Sequence, residues 1–76
     1  MRTINEVAID IKKEWAKPHF SAVPYLDAML SLRYKTDFYY LDSAYDIVSR
    51  FLANAATFKC ERARWLKAEL KTIMQD

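Results

Sequence analysis

No glycine occurs anywhere in the 76 residues of this chain. Glycine is the one residue that takes positive φ at no steric cost, and it lets a backbone approach a ligand closely. Without it, the phosphate-cradling loops of P-loop and dinucleotide-binding proteins cannot be built. The favoured two-residue β-hairpin turns also lose their usual occupant. Helices joined by turns that need no glycine are what remains, so the expected fold is all-α without a sheet.

A chain this short holds one hydrophobic core and therefore one domain. At 53% hydrophobic and 14% aromatic residues it is too apolar to stay disordered. The aromatic share is high enough that part of it is expected at an interface. Twelve Lys and Arg against ten Asp and Glu leave a formal charge of +2, too small for the whole chain to act as a polycation. A single cysteine, Cys60, excludes an internal disulfide and fits a reducing compartment. Charged residues interrupt the first turn before an apolar run forms, so no signal peptide is expected. No apolar segment approaches the roughly 20 residues that span a bilayer. The expected location is cytoplasmic, with no membrane partner.

Four helices are expected, at about residues 4–16, 22–33, 43–55 and 58–74, with the last two forming an antiparallel hairpin that the first closes. Thr3 and Glu6 have capping-box spacing ahead of Ile4, Val7, Ala8, Ile11 and Trp15, which recur at helical spacing. Ile9 falls outside that stripe, and Pro18 stops the helix. Ser21 is the expected N-cap of the short second helix, with Pro24 in its first turn. Tyr25, Leu26, Met29, Leu30 and Leu32 crowd that helix and predict burial. Asp42 or Ser43 caps the third helix, whose stripe is Ala44, Ile47, Val48, Phe51, Leu52 and Ala55. Thr57 is the expected cap of the fourth, whose stripe is Cys60, Ala63, Leu66, Leu70, Ile73 and Met74. Trp65 projects from nearly the opposite side. Residues 33–41, reading RYKTDFYYL, fit neither amphipathic period. A loop over the core is the preferred reading there, because a lone strand has no partner. One short strand or an early turn of the third helix are the alternatives.

The segments PYLDAML, DSAYDIVSRFLANAATF and ERARWLKAELKTIM together resemble a group of small uncharacterised helical proteins encoded by phages and mobile elements of gut bacteria. Those motifs are packing patterns and carry no chemical signature. The resemblance implies a helical accessory protein with no activity of its own. It also implies a host-directed role, such as modulating a bacterial defence system.

The chain is poorly equipped for catalysis. His19 is the only histidine, and a thiol–imidazole pair with Cys60 would need both within hydrogen-bond reach and a third group to orient the ring. Cys60 on the apolar side of the fourth helix reads as a small buried hydrophobe, and His19 beside Pro18 as a solvated or capping residue. No ligand spacing suits a metal, and Asp42 and Asp46 are explained by capping and the helix dipole. No cofactor, metal site or enzymatic activity is therefore expected. Two surfaces remain. Tyr34, Phe38, Tyr39, Tyr40 and Trp65 are candidates for binding a protein partner or a second copy, since Tyr and Trp bury much area with few rotors to freeze. Lys59, Arg62, Arg64, Lys67 and Lys71 are candidates for nucleic-acid phosphates. They surround their helix instead of forming one stripe, and Glu61 and Trp65 share the solvent side, so a plain solvated face competes with that reading. The expected function is a non-enzymatic binding protein, with a nucleic-acid-binding accessory protein as the alternative.

Overall fold

A computed structural model of the chain describes residues 2–75. Its elements run α1 (Ile4–Glu14), α2 (Val23–Met29), β1 (Phe38–Tyr39), β2 (Asp42–Ser43), α3 (Ala44–Ala53) and α4 (Glu61–Gln75). At the start of α1, the Glu6 carboxylate accepts from the Thr3 backbone N–H and from its hydroxyl, each at 2.9 Å. That is the reach-back half of a capping box, and it starts α1 where the sequence pattern places it. Ile4, Val7, Ala8, Ile11 and Trp15 are all buried, while Ile9 is exposed. Trp15 stacks on Phe58 at 4.9 Å between ring centroids and meets Phe51 edge-on at 6.2 Å. These three rings join α1 and α3 to the segment leading into α4.

The second helix is shorter than its apolar pattern. After Met29 the chain tightens into i→i−3 bonds, with Ser31 N donating to Ala28 O and Leu32 N to Met29 O. Leu32 is nevertheless fully buried, so the apolar spacing extends beyond the α-helix that first carries it. The N-cap of α2 is Ala22, not Ser21. The Ser21 hydroxyl is taken up by His19 Nδ1 at 2.7 Å.

The pairing of helices also differs from expectation. The principal contacts are α1 on α4 and α2 on α3, and α3 touches α4 over a smaller area. Phe58 is the physical reason. Its ring is buried against Trp15, which holds residues 54–60 in a non-helical connection, and α4 begins only at Glu61. Thr57 therefore caps nothing. Cys60 is exposed, and its Sγ accepts from the Ala63 N–H at 3.3 Å, as a weak cap of α4. It is not the buried hydrophobe its spacing predicts.

The α1–α4 seam is closed by charge. Arg2 donates to both carboxylate oxygens of Glu69, at 2.8 and 2.7 Å, and to Asp10. Arg62 lies 3.7 Å from Asp10 and 3.6 Å from Glu14. Above this seam sits one continuous core that includes Leu26, Met29, Leu32, Val48, Phe51, Leu66 and Leu70.

A small antiparallel hairpin corrects the expectation of no sheet. Phe38 pairs with Ser43 and Tyr39 with Asp42, so Tyr40 and Leu41 form a two-residue turn. The strand partner was hidden in the capping sequence of α3. Ser43 both ends β2 and accepts from the Asp46 N–H at 3.1 Å as the N-cap of α3. The turn needs positive φ at its first central residue, and with no glycine to take it, Tyr40 does, at φ 57°. Tyr40 is the one residue with positive φ among those described.

Candidate functional site

The hairpin stands on a braced stem. The Asp37 carboxylate accepts from the backbone N–H groups of Arg33 at 2.9 Å and Tyr34 at 3.1 Å. These two bonds hold its pKa below the ordinary carboxylate range. The Asp37 carbonyl then accepts from Ala44 N at 2.8 Å, which ties the stem to the first residue of α3. Tyr39 packs against the core and meets Tyr40 edge-on at 4.8 Å. A backbone fixed at both ends in this way presents its tip in a defined orientation.

The tip is apolar and unshielded. Phe38 is 65% exposed, Tyr40 86% and Leu41 96%. Left-handed φ at a non-glycine residue costs about 1–2 kcal/mol. Here that cost closes the hairpin turn and leaves an aromatic ring mostly in water, with Tyr39 as its one aromatic neighbour. Strained backbone conformations cluster at functional sites.

The five aromatic candidates therefore separate. Phe38 and Tyr40 stand together on the hairpin. Tyr39 is half-buried and packs against the core, so less of its ring is open to a partner. Tyr34 is exposed at the base of the stem and lines a cavity of 360 Å³ with Arg2, Thr3, Lys35 and Ile73. Trp65 is exposed on α4 beside Glu61 and Arg62, whereas the hairpin packs against α3. Leu41 is the tip residue that sequence reasoning missed. Its signal was indirect: a two-residue turn needs a strand on either side, and DS was read only as a cap.

The five basic candidates separate as well. Arg62 faces α1 and is held by Asp10 and Glu14, so it is not a free cation. Arg64, Lys67 and Lys71, at i, i+3 and i+7, lie along one side of α4, and Lys59 stands just before the helix. The five therefore lie on two sides of the helix, with Arg62 apart from the other four. Lys67 donates to the Ala55 carbonyl at 2.6 Å and lies 5.7 Å from the centre of the Phe58 ring. Its pKa is lowered, first by desolvation and then by the nearby charges of Lys71 and Lys59.

The chemistry-bearing singletons do not assemble. The exposed His19 ring accepts at Nδ1 from the Ser21 backbone at 3.2 Å and meets its hydroxyl at the same nitrogen. The ring stacks on Phe20, at 4.6 Å between centroids. That is a local turn with no group orienting the ring from behind. Cys60 is engaged at the start of α4. Among the described residues, no three His, Cys, Asp or Glu side chains are grouped to hold a metal ion. No helix among them is long and apolar enough to cross a membrane. Compared with protein-family models, with curated proteins and with solved structures, the chain matches none.

Proposed function

We propose that this chain is a non-enzymatic docking protein that offers the Phe38–Ser43 hairpin as a knob to a protein partner. One observation carries the reading: the turn accepts left-handed backbone at Tyr40 while leaving Tyr40 and Leu41 almost wholly in water. Such an anchor is preorganised by the Asp37 bonds, so little conformational freedom is lost when it docks. The knob is convex and narrow, far below the roughly 800 Å² per partner of a standard interface. It therefore needs a concave apolar pocket on a different protein, and a flat self-interface does not suit it. The resemblance to phage and mobile-element proteins makes a protein of the bacterial host the expected partner.

The test places a photo-reactive amino acid at position 40 and identifies the cross-linked host protein. That protein is then purified and its affinity measured. Tyr40→Ala and Leu41→Ala are each expected to weaken binding at least tenfold, the range of interface anchors. Trp65→Ala, on α4, is expected to leave it unchanged. Equal affinity of all three variants and the native chain would contradict the proposal.

A further inference from the structure

The distribution of charge leaves one feature that a docking knob does not use. The acidic side chains of the α1–α4 seam are consumed by Arg2 and Arg62. On the other flank of α4, Lys59, Arg64, Lys67 and Lys71 have no acidic partner within ion-pair distance among the described residues. Lys59, Arg64 and Lys67 line a cavity of 400 Å³ with Phe58 and Cys60. One turn further along α4, Lys71 lines a second hollow of 210 Å³ against Tyr45, Ser49 and Leu52 of α3. The first hollow lies on α4 and the residues just before it, the second lies between α3 and α4, and neither is lined by a carboxylate.

This is costly for the protein alone. The pKa of Lys67 is lowered first by its desolvation and then by the like charges of Lys71 and Lys59. An anion seated between them would relieve the repulsion. Lys67 spends one donor on the Ala55 carbonyl and keeps two. With a rise of about 1.5 Å per residue, Arg64 to Lys71 spans about 10 Å along α4. Flexible Lys and Arg side chains on that span can reach neighbouring phosphates of one strand. A single row of cations serves one strand, whereas a duplex brings two. Tyr45 is exposed and lines the second hollow with Lys71, where its ring is open to an unpaired base.

We propose that the basic flank of α4 binds single-stranded nucleic acid, with Lys59, Arg64, Lys67 and Lys71 on phosphates and Tyr45, across the second hollow, stacking on a base. This proposal does not rest on the docking of the hairpin knob.

The test is fluorescence anisotropy of the full chain with a labelled single strand of about 12 nucleotides, the duplex of the same length and a polyglutamate peptide. The single strand is expected to bind best. Its log affinity should fall against log salt with a slope of roughly −2 to −3, at about −0.7 per phosphate. Arg64→Gln with Lys71→Gln is expected to weaken binding at least tenfold and to flatten the slope by about 1.4. Arg62→Gln should leave affinity and slope unchanged, and Tyr45→Ala should weaken binding about tenfold. Circular dichroism melts establish that each variant is folded, and Lys67 is left intact because it also bonds the Ala55 carbonyl. Absence of single-strand binding at low salt would overturn the proposal, as would full affinity in the Arg64, Lys71 double variant. Tighter binding of the duplex or the polyglutamate peptide would overturn it in favour of that ligand.

Discussion

Tyr40 shows how a rule about one residue type can hold while its structural consequence fails. The absence of glycine does remove the usual occupant of a two-residue turn, but it does not forbid the turn. It transfers the position to a residue that pays about 1–2 kcal/mol for it, and Tyr40 sits there at φ 57°. Ser43 is the complementary case. The cap was legible to within one residue, as Asp42 or Ser43, because a short polar side chain before an apolar helical stripe can accept from a free helix N–H, and the Ser43–Asp46 bond realises it. Ser43→Ala is therefore expected to destabilise the protein by about 1 kcal/mol, read as a lower urea midpoint at constant slope. Cys60 was misread because its helical spacing looked apolar, while the helix that would have buried it starts one residue later.

At the scale of elements, α1 and α3 were legible because their stripes run unbroken from a strong cap. The ends of α2 and α4 were not. Leu32 keeps helical spacing through i→i−3 turns, and Phe58 is buried by Trp15 from a segment with no helix at all. Burial follows the spacing in both cases, but hydrogen bonding does not. The α1–α4 seam rests on residues far apart in sequence, so Arg2 gave no sign of its role. Its bonds hold the Asp10 and Glu69 carboxyls below their ordinary pKa. Carboxyls with a lowered folded-state pKa contribute stability that is complete at neutral pH. That contribution fades as pH falls below about 4, through the folded-state values. Arg2 is 38% exposed, so solvent screening holds the contribution to about 1 kcal/mol. Arg2→Ala is expected to lower stability by that amount at pH 7 and to make less difference at pH 2–3, measured by urea unfolding at both pH values. An equal loss at both would mean that Arg2 acts by packing alone.

The whole molecule is a small core with most of its chemistry facing outward. Phe51 is fully buried between Trp15 and the helices around it. Phe51→Ala is expected to cost about 3–5 kcal/mol, most of the stability that a domain of this size possesses, and to leave the chain largely unfolded by circular dichroism. The two tryptophans report the same division. Trp15 is buried and Trp65 is 64% exposed, so iodide should quench only the emission that Trp65→Phe removes. The helical class and the single core could be read from composition and periodicity. The pairing of helices, the hairpin and the partition of the cations could not, because each depends on contacts between residues distant in sequence. The central claim is that Tyr40 is kept for its surface and not for the fold. Thermal unfolding of Tyr40→Gly tests it most directly, since glycine relieves the left-handed backbone and removes a ring that is 86% exposed and meets Tyr39 edge-on. The melting temperature is predicted to stay level or to rise by up to about 4–8 °C, the shift that about 1 kcal/mol produces in a domain of this size. A fall of similar size would show that Tyr40 holds the fold together, and would contradict the account.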